Sequence, residues 1–196
     1  MHAAVVSGQF HADKTDEALR IYREQVLPMA QQFPGFKGAT SLLDRATGQA
    51  IVIALYETKE DARKVEESGQ SQQTAALLRD TMAGPPTREL YEVLLHDARG
   101  GARYARVTRA AVPPGTAGDP SAGRGMAEAA GRQPGYAGFL LLADRAGNRV
   151  LGLSLWASLA ALEASEGGYY RERMAEAAGS FAGQPSRAVY EVAAQG

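Results

Sequence analysis

The chain carries nearly the same text twice, and that repetition constrains its fold more than any single motif. Pro34-Gly35-Phe36-x-Gly38, Leu42-x-Asp44-Arg45-Ala46 and Leu55-Tyr56 return one hundred residues later. The second copy reads Pro134-Gly135-Tyr136-x-Gly138, Leu142-x-Asp144-Arg145-Ala146 and Leu155-Trp156. The end of each copy repeats as well, Pro86-Thr87-Arg88-Glu89-Leu90-Tyr91-Glu92-Val93 against Pro185-Ser186-Arg187-Ala188-Val189-Tyr190-Glu191-Val192. Residues 33–56 laid on 133–156 share 8 identities in 24 positions, and the terminal octets share 5 in 8. Ordinary composition gives about one identity in fifteen. Such self-similarity points to a domain that was duplicated and fused. The reading is a first domain over 1–97, a linker over 98–103 with the composition Ala-Arg-Gly-Gly-Ala-Arg, and a second domain over 104–196.

Each copy is predicted to open with a strand, Ala3 to His11 and Tyr104 to Val112, rich in small apolar and β-branched residues. A helix follows in the first copy, with Leu19, Tyr22, Val26, Met29, Ala30 and Phe33 on one stripe and Pro28 interrupting it. In the second copy that region is Pro113-Pro114-Gly115-Thr116-Ala117-Gly118-Asp119-Pro120. There a shorter helix starts at Asp119-Pro120, weakened by Gly123, Gly125 and Gly131 at about 1 kcal/mol each relative to alanine. The Pro-Gly turn then leads into a hairpin of two strands, Lys37 to Asp44 with Ala50 to Glu57, and Ala137 to Asp144 with Arg149 to Ala157. Thr58 and Ser158 are placed to cap a second helix, and Thr58-x-x-Asp61 fits a capping box. That helix is expected to break near Gly69 and near Gly167-Gly168, before a last strand over Arg88 to Leu95 and Arg187 to Ala193. Strand, helix, strand, strand, helix, strand is the ferredoxin-like order. The fold class is α+β: two tandem ferredoxin-like (βαββαβ) domains whose antiparallel sheets pack face to face, a fused duplication supplying both sheets.

Composition excludes more than it assigns. Lys plus Arg is 21 against 22 Asp plus Glu, a net charge of −1. No electrostatic case for nucleic acid or an anionic membrane follows. The chain has no cysteine, which removes disulfides, thiolate metal sites and cysteine nucleophiles together. Met1-His2-Ala3-Ala4-Val5-Val6 lacks the basic segment and apolar run of a signal peptide. No stretch approaches the roughly 18 apolar residues of a membrane span. The expectation is a cytoplasmic protein with no metal site. No Walker loop, dinucleotide fingerprint or nucleophile elbow is present.

These residues resemble a family. Each copy is similar to a domain of the dimeric α/β-barrel superfamily, of the antibiotic-biosynthesis-monooxygenase type. The resemblance rests on the Pro-Gly-Phe/Tyr turn, the aromatic closing the third strand (Tyr56 or Trp156), the capped second helix and the terminal Tyr-Glu-Val strand. It implies a barrel, made in most members by two chains and here by two halves of one, as a pseudo-dimer that can pair further. It also implies a pocket between the sheet and helices of one domain. The activities it implies are cofactor-independent oxygenation of phenols and quinols, or haem degradation. Haem-degrading members use an asparagine on the first strand, a tryptophan ending the third and a histidine on the second helix. Those positions read Ser7 and Thr108, Tyr56 and Trp156, and Glu66 and Glu166. All three histidines, His2, His11 and His96, lie in the first half. Haem is disfavoured on both counts, and no cofactor is expected.

The candidate substrate-binding residues are Trp156, Tyr169, Tyr170, Thr108, Arg109, Tyr22 and Tyr56. Trp156, the only tryptophan, either stacks on a flat substrate or caps the core. Tyr169 and Tyr170 cannot face one pocket equally, because adjacent helical residues diverge by about 100°. Arg106 and Arg109, set against Val5 and Gly8 of the first copy, fall on opposite faces of their strand, so one could point inward, where an arginine needs an anion or carboxylate partner, the alternatives being pairing with a protein carboxylate or simple exposure. Tyr22 lies on the buried stripe, and Asp44-Arg45 and Asp144-Arg145 read as turn chemistry. Two function classes stay open. One is a cofactor-independent monooxygenase acting on an aromatic or quinol-like small molecule. The other is a non-catalytic ligand-binding or structural/interaction protein of the same fold. The second half, where the copies differ most, is the better place for a working pocket.

Overall fold

The computed structural model describes residues 1–196. By spatial contact the chain divides into Met1–Tyr91 with Glu191–Gly196, and Glu92–Tyr190. The first unit holds β1 (His2–Gln9), α1 (Thr15–Ile21), α2 (Leu27–Gln31), β2 (Phe36–Leu43), β3 (Gln49–Tyr56), α3 (Lys59–Glu67), α4 (Gln70–Leu78) and the beginning of β4 (Thr87–Ala98). The second holds the rest of β4, then β5 (Tyr104–Ala111), α5 (Ser121–Gly131), β6 (Tyr136–Asp144), β7 (Arg149–Trp156), α6 (Leu159–Ser165), α7 (Arg171–Glu176) and the first half of β8 (Ser186–Gln195), whose second half belongs to the first unit. Elements thus follow the ferredoxin-like order twice. The hydrogen-bonded strand order is β1-β3-β2-β8-β5-β7-β6-β4, a closed barrel. β4 and β8 each run past the end of their own copy. Glu92–Ala98 pairs with β6, and Glu191–Gln195 pairs with β2.

Local sequence explains the element boundaries. Thr58 Oγ1 accepts from Asp61 N at 3.0 Å while Thr58 N donates to Asp61 Oδ2 at 3.1 Å, a complete capping box for α3. Ser158 Oγ accepts from Ala161 N at 3.1 Å to start α6. Gly69, at φ 80°, separates α3 from α4. The second copy breaks at Gly167-Gly168 inside a wide π-turn, Glu166–Tyr170. In the first helix the interruption also takes the form of a π-turn, Tyr22–Val26, immediately ahead of Pro28. Proline offers no N–H and its ring crowds the carbonyl four residues back, so the chain widens by one residue there. Gly38 and Gly138, repeated in the motif, mark the same register shift in β2 and β6.

Each unit has its own apolar packing. In the first, Ile21, Tyr22 and Val26 pack with Val52, and Ala4, Tyr56, Ala62 and Val65 form a second cluster. In the second, Trp156, Leu162, Ala129, Ala130, Tyr169 and Tyr170 cluster beneath the helices. The seven residues Ala137–Ala143 of β6 are all buried, as expected of a strand covered on both faces.

The repeated Asp-Arg pairs do more than make turns. Asp44 accepts from Ala46 N at 2.9 Å and Thr47 Oγ1 at 2.6 Å, and Asp144 accepts from Gly147 N at 2.9 Å and Arg149 Nη2 at 2.6 Å. The adjacent arginines reach the repeated glutamates of Tyr-Glu-Val, Arg45 to Glu191 at 2.8 Å and Arg145 to Glu92 at 2.5 Å. Each arginine therefore meets the glutamate written in the other copy. No helix is long and apolar enough to cross a membrane.

Candidate functional site

The second unit contains a cavity of about 410 Å³, within the range of small-molecule sites. Its floor is one face of three neighbouring strands. Arg106, Thr108 and Ala110 of β5 stand opposite Ser154, Gly152 and Val150 of β7, and Gly152 and Ser154 stand opposite Leu141 and Phe139 of β6. Strand alternation puts these positions on a single side. Met126 of α5, Met174 of α7, and Tyr170 and Phe181 close the helical wall. Two features hold the volume open. Gly152 leaves the centre of the floor without a side chain, and the Pro113–Pro120 loop replaces the first helical turns, so that α5 starts only at Ser121. Gly123 then lets α5 approach the sheet, because a Cβ there would lie 2.5 Å from Leu141 Cδ2.

One wall of this apolar volume is polar. Thr108 Oγ1 and Tyr170 OH are 2.9 Å apart and share a hydrogen bond. Behind them Arg106 is 1% exposed. Its Nη2 donates to Leu162 O at 2.9 Å and Ser165 Oγ at 2.6 Å, its guanidinium carbon lies 4.1 Å from the Tyr170 ring centroid, and its Nε is 3.4 Å from Glu166 Oε1. Nη1 has no hydrogen-bond partner. Glu166 is shared with Arg187 at 3.3 Å. At the rim, Asp119 accepts from Ser121 N and Oγ at 2.9 and 2.6 Å, and those bonds hold its carboxyl below the usual range.

The sequence-selected residues divide. Thr108 and Tyr170 line the cavity. Trp156 is fully buried behind it, in the core, with Nε1 donating to Ser154 Oγ at 3.0 Å. Tyr169 packs on Trp156 with ring centroids 6.3 Å apart; its hydroxyl is buried without a hydrogen-bond partner, and burial raises its pKa. Arg109 is half-buried on the opposite face of β5 and is not part of the cavity wall. Tyr22 and Tyr56 belong to the first unit, where burial raises both phenols. Of the two haem-position glutamates, Glu66 pairs with Arg88 at 2.9 Å and Glu166 with Arg106 and Arg187. No group of three or more His, Cys, Asp or Glu side chains is arranged to hold a metal.

The alignment of first strands needs a correction of one residue. β1 pairs Ala4 with Ala54 and Val6 with Val52, whereas β5 pairs Arg106 with Ser154 and Thr108 with Gly152. Arg106 therefore corresponds to Ala4 and Arg109 to Ser7, not to Val5 and Gly8. A slip of one residue exchanges the two faces. Ser154, Gly152, Phe139, Met126 and Met174 were not singled out from sequence, although the alternation that selects Thr108 also selects the β7 residues opposite it.

No family description matches the chain, and no curated protein does. Solved structures do. A candidate monooxygenase from Fusobacterium nucleatum superposes with a TM-score of 0.78 at 14% identity, covering 99% of this chain and 93% of that one. An anthrone oxidase-like protein gives 0.70 at 18% identity over 100% and 92%. A Listeria monocytogenes ferredoxin-fold protein related to antibiotic biosynthesis monooxygenases gives 0.57 at 13% over 98% and 94%. At these identities the likeness is one of fold: the chain shares the ferredoxin-like, eight-stranded antiparallel barrel architecture of these structures.

Proposed function

We propose that the cavity of the second unit binds a planar aromatic molecule and that the protein oxygenates phenol- or quinol-like compounds without a cofactor. The observation that carries this reading is a half-open cavity of about 410 Å³ with apolar walls and one polar end, where Thr108, Tyr170 and Arg106 converge. Such a site can desolvate a ring and fix its oxygen. The hydrogen left free by the Thr108–Tyr170 pair would be donated to the substrate oxygen and favour its enol or phenolate form, which gives up electrons to dioxygen more readily. Oxygenation of an activated ring methylene balances without external reductant: R₂CH₂ + O₂ → R₂C=O + H₂O. The carbon supplies all four electrons, one oxygen atom enters the product and the other leaves as water.

The test uses anthrone as substrate. Oxygen uptake above the buffer control, one O₂ per anthraquinone formed and reduced in Tyr170→Phe, is the expected result. Binding is read independently from Trp156 emission, because its N–H donates to Ser154, which lines the cavity. Binding with no oxygen uptake above buffer would overturn the enzyme reading and leave a non-catalytic ligand-binding protein. That second reading is favoured by one observation: Arg106 and Tyr170 are engaged with each other rather than left free for proton transfer.

A further inference from the structure

We infer that the occupant of this cavity is an anion: a flat aromatic ring bearing a carboxylate or ionised hydroxyl, with its charged oxygen at the Thr108–Tyr170 end. The inference rests on the site proposed above and names its ligand class. Its basis is a local imbalance of charge. Arg106 is 1% exposed, and the carboxylate paired with it, Glu166, lies 3.4 Å from Nε, is itself 29% exposed, and is shared with Arg187. Two guanidinium groups thus divide one carboxylate, leaving an excess positive charge at the polar end of an otherwise apolar cavity. A buried cation is stabilised by a counter-charge, and here the protein supplies only half of one.

The hydrogen bonding agrees. Arg106 Nη2 is fully used by Leu162 O and Ser165 Oγ, but Nη1, with two N–H donors, makes no hydrogen bond, and the Tyr169 hydroxyl is the neighbouring buried oxygen that the Arg106 charge acts on. Thr108 and Tyr170 have two O–H groups and one mutual bond between them, so one hydrogen is left to donate. Donors outnumber acceptors at this end, as an oxyanion requires. The carboxylate on the cavity's lining, Asp119, is exposed at the rim and already accepts two bonds from Ser121. The cavity is therefore cationic at depth and anionic at its mouth, which orients an acid with its charged end inward.

The test compares two probes of one shape, 2-naphthoate and 2-naphthamide, by isothermal titration calorimetry on the full chain. The acid is expected to bind about tenfold tighter or more, as for a hydrogen bond to a charged partner. In Arg106→Gln the ratio should fall towards one. Because Arg106 is buried and that variant can fail to fold, Glu166→Gln provides an independent arm. Removing the shared carboxylate leaves both guanidiniums uncompensated and should raise the acid-to-amide ratio several-fold, which a structural role alone would not do. Equal affinity for the two probes, or an unchanged ratio in Glu166→Gln, overturns the inference and leaves the proposed binding site standing. Failure of both probes to bind overturns the site and the inference together.

Discussion

Gly152→Val should make the protein more stable and its cavity useless, and this opposition of signs is the sharpest test of where the site lies. Gly152 is mid-strand in β7, opposite Thr108 on one side and Leu141 on the other. A Cβ built there meets only Phe139 Cζ, at 3.9 Å, an ordinary contact. Glycine in a strand interior costs about 0.5–1 kcal/mol through the freedom it loses on folding, and a β-branched residue suits the pleated strand. The added Cβ meets no clash, and the register-equivalent residue of the first unit is already a valine, Val52, packed against the cluster of Ile21, Tyr22 and Val26. The expected stabilisation is about 1 kcal/mol, which raises the melting temperature by about 2–4 °C in a chain of this size. The added carbons lie on the floor, where a flat ring would rest. Naphthoate affinity should therefore drop tenfold or more, with Gly152→Ala intermediate. Circular dichroism melting and calorimetric titration read the two effects separately. A variant that melts lower, or that binds the probe as the parent does, refutes the reasoning.

Two further outcomes follow from the packing and the charges. Trp156→Ala, which empties the largest fully buried side chain, should cost about 3–5 kcal/mol in urea denaturation followed by circular dichroism; a cost below about 1 kcal/mol would contradict its place in the core. Asp144 is held below the usual carboxylate range by Gly147 N–H and by Arg149. A depressed folded-state pKa gives stability that is full above the unfolded value, about 3.9, and is lost as pH falls through the folded one. Asp144→Asn should therefore be less stable than the parent at pH 7 and approach it by pH 3, and a gap that stays constant with pH would count against the linkage.

Much of the scaffold was legible because it is local. Thr58-x-x-Asp61, the break at Gly69 and that at Gly167-Gly168 each act within a few residues, so their signals are intact in the sequence. What escaped is non-local. Arg45 and Arg145 read as tolerated turn residues, because their partners Glu191 and Glu92 lie far along the chain and are chosen by β4 and β8 overrunning their own copies. The one-residue slip between β1 and β5 escaped for the same reason, since register is set by the partner strand. Thr108 and Tyr170, selected by residue type, both fall on the cavity lining. Trp156 was ambiguous by type, and only packing resolves it to the core beside Leu162 and Tyr169.

Once register is corrected, the difference between the copies has a period of two. On the helix-facing side of the first and third strands, Ala4, Val6, Val52 and Ala54 of the first copy become Arg106, Thr108, Gly152 and Ser154 of the second. On the alternate face, Ala3, Val5, Ile51, Ile53 and Leu55 become Ala105, Val107, Leu151, Leu153 and Leu155, apolar for apolar, and Ser7 becomes Arg109. Drift without constraint would touch both faces alike. Constraint for stability alone would keep both apolar, because a buried arginine and an empty glycine position each work against packing. Change concentrated on one face, which there empties the Gly152 position and adds polar groups at Arg106, Thr108 and Ser154 while the buried core of the other face stays apolar, is what selection for a ligand on that face would leave behind. In the first unit the position of Gly152 is held by Val52, packed against the cluster of Ile21, Tyr22 and Val26.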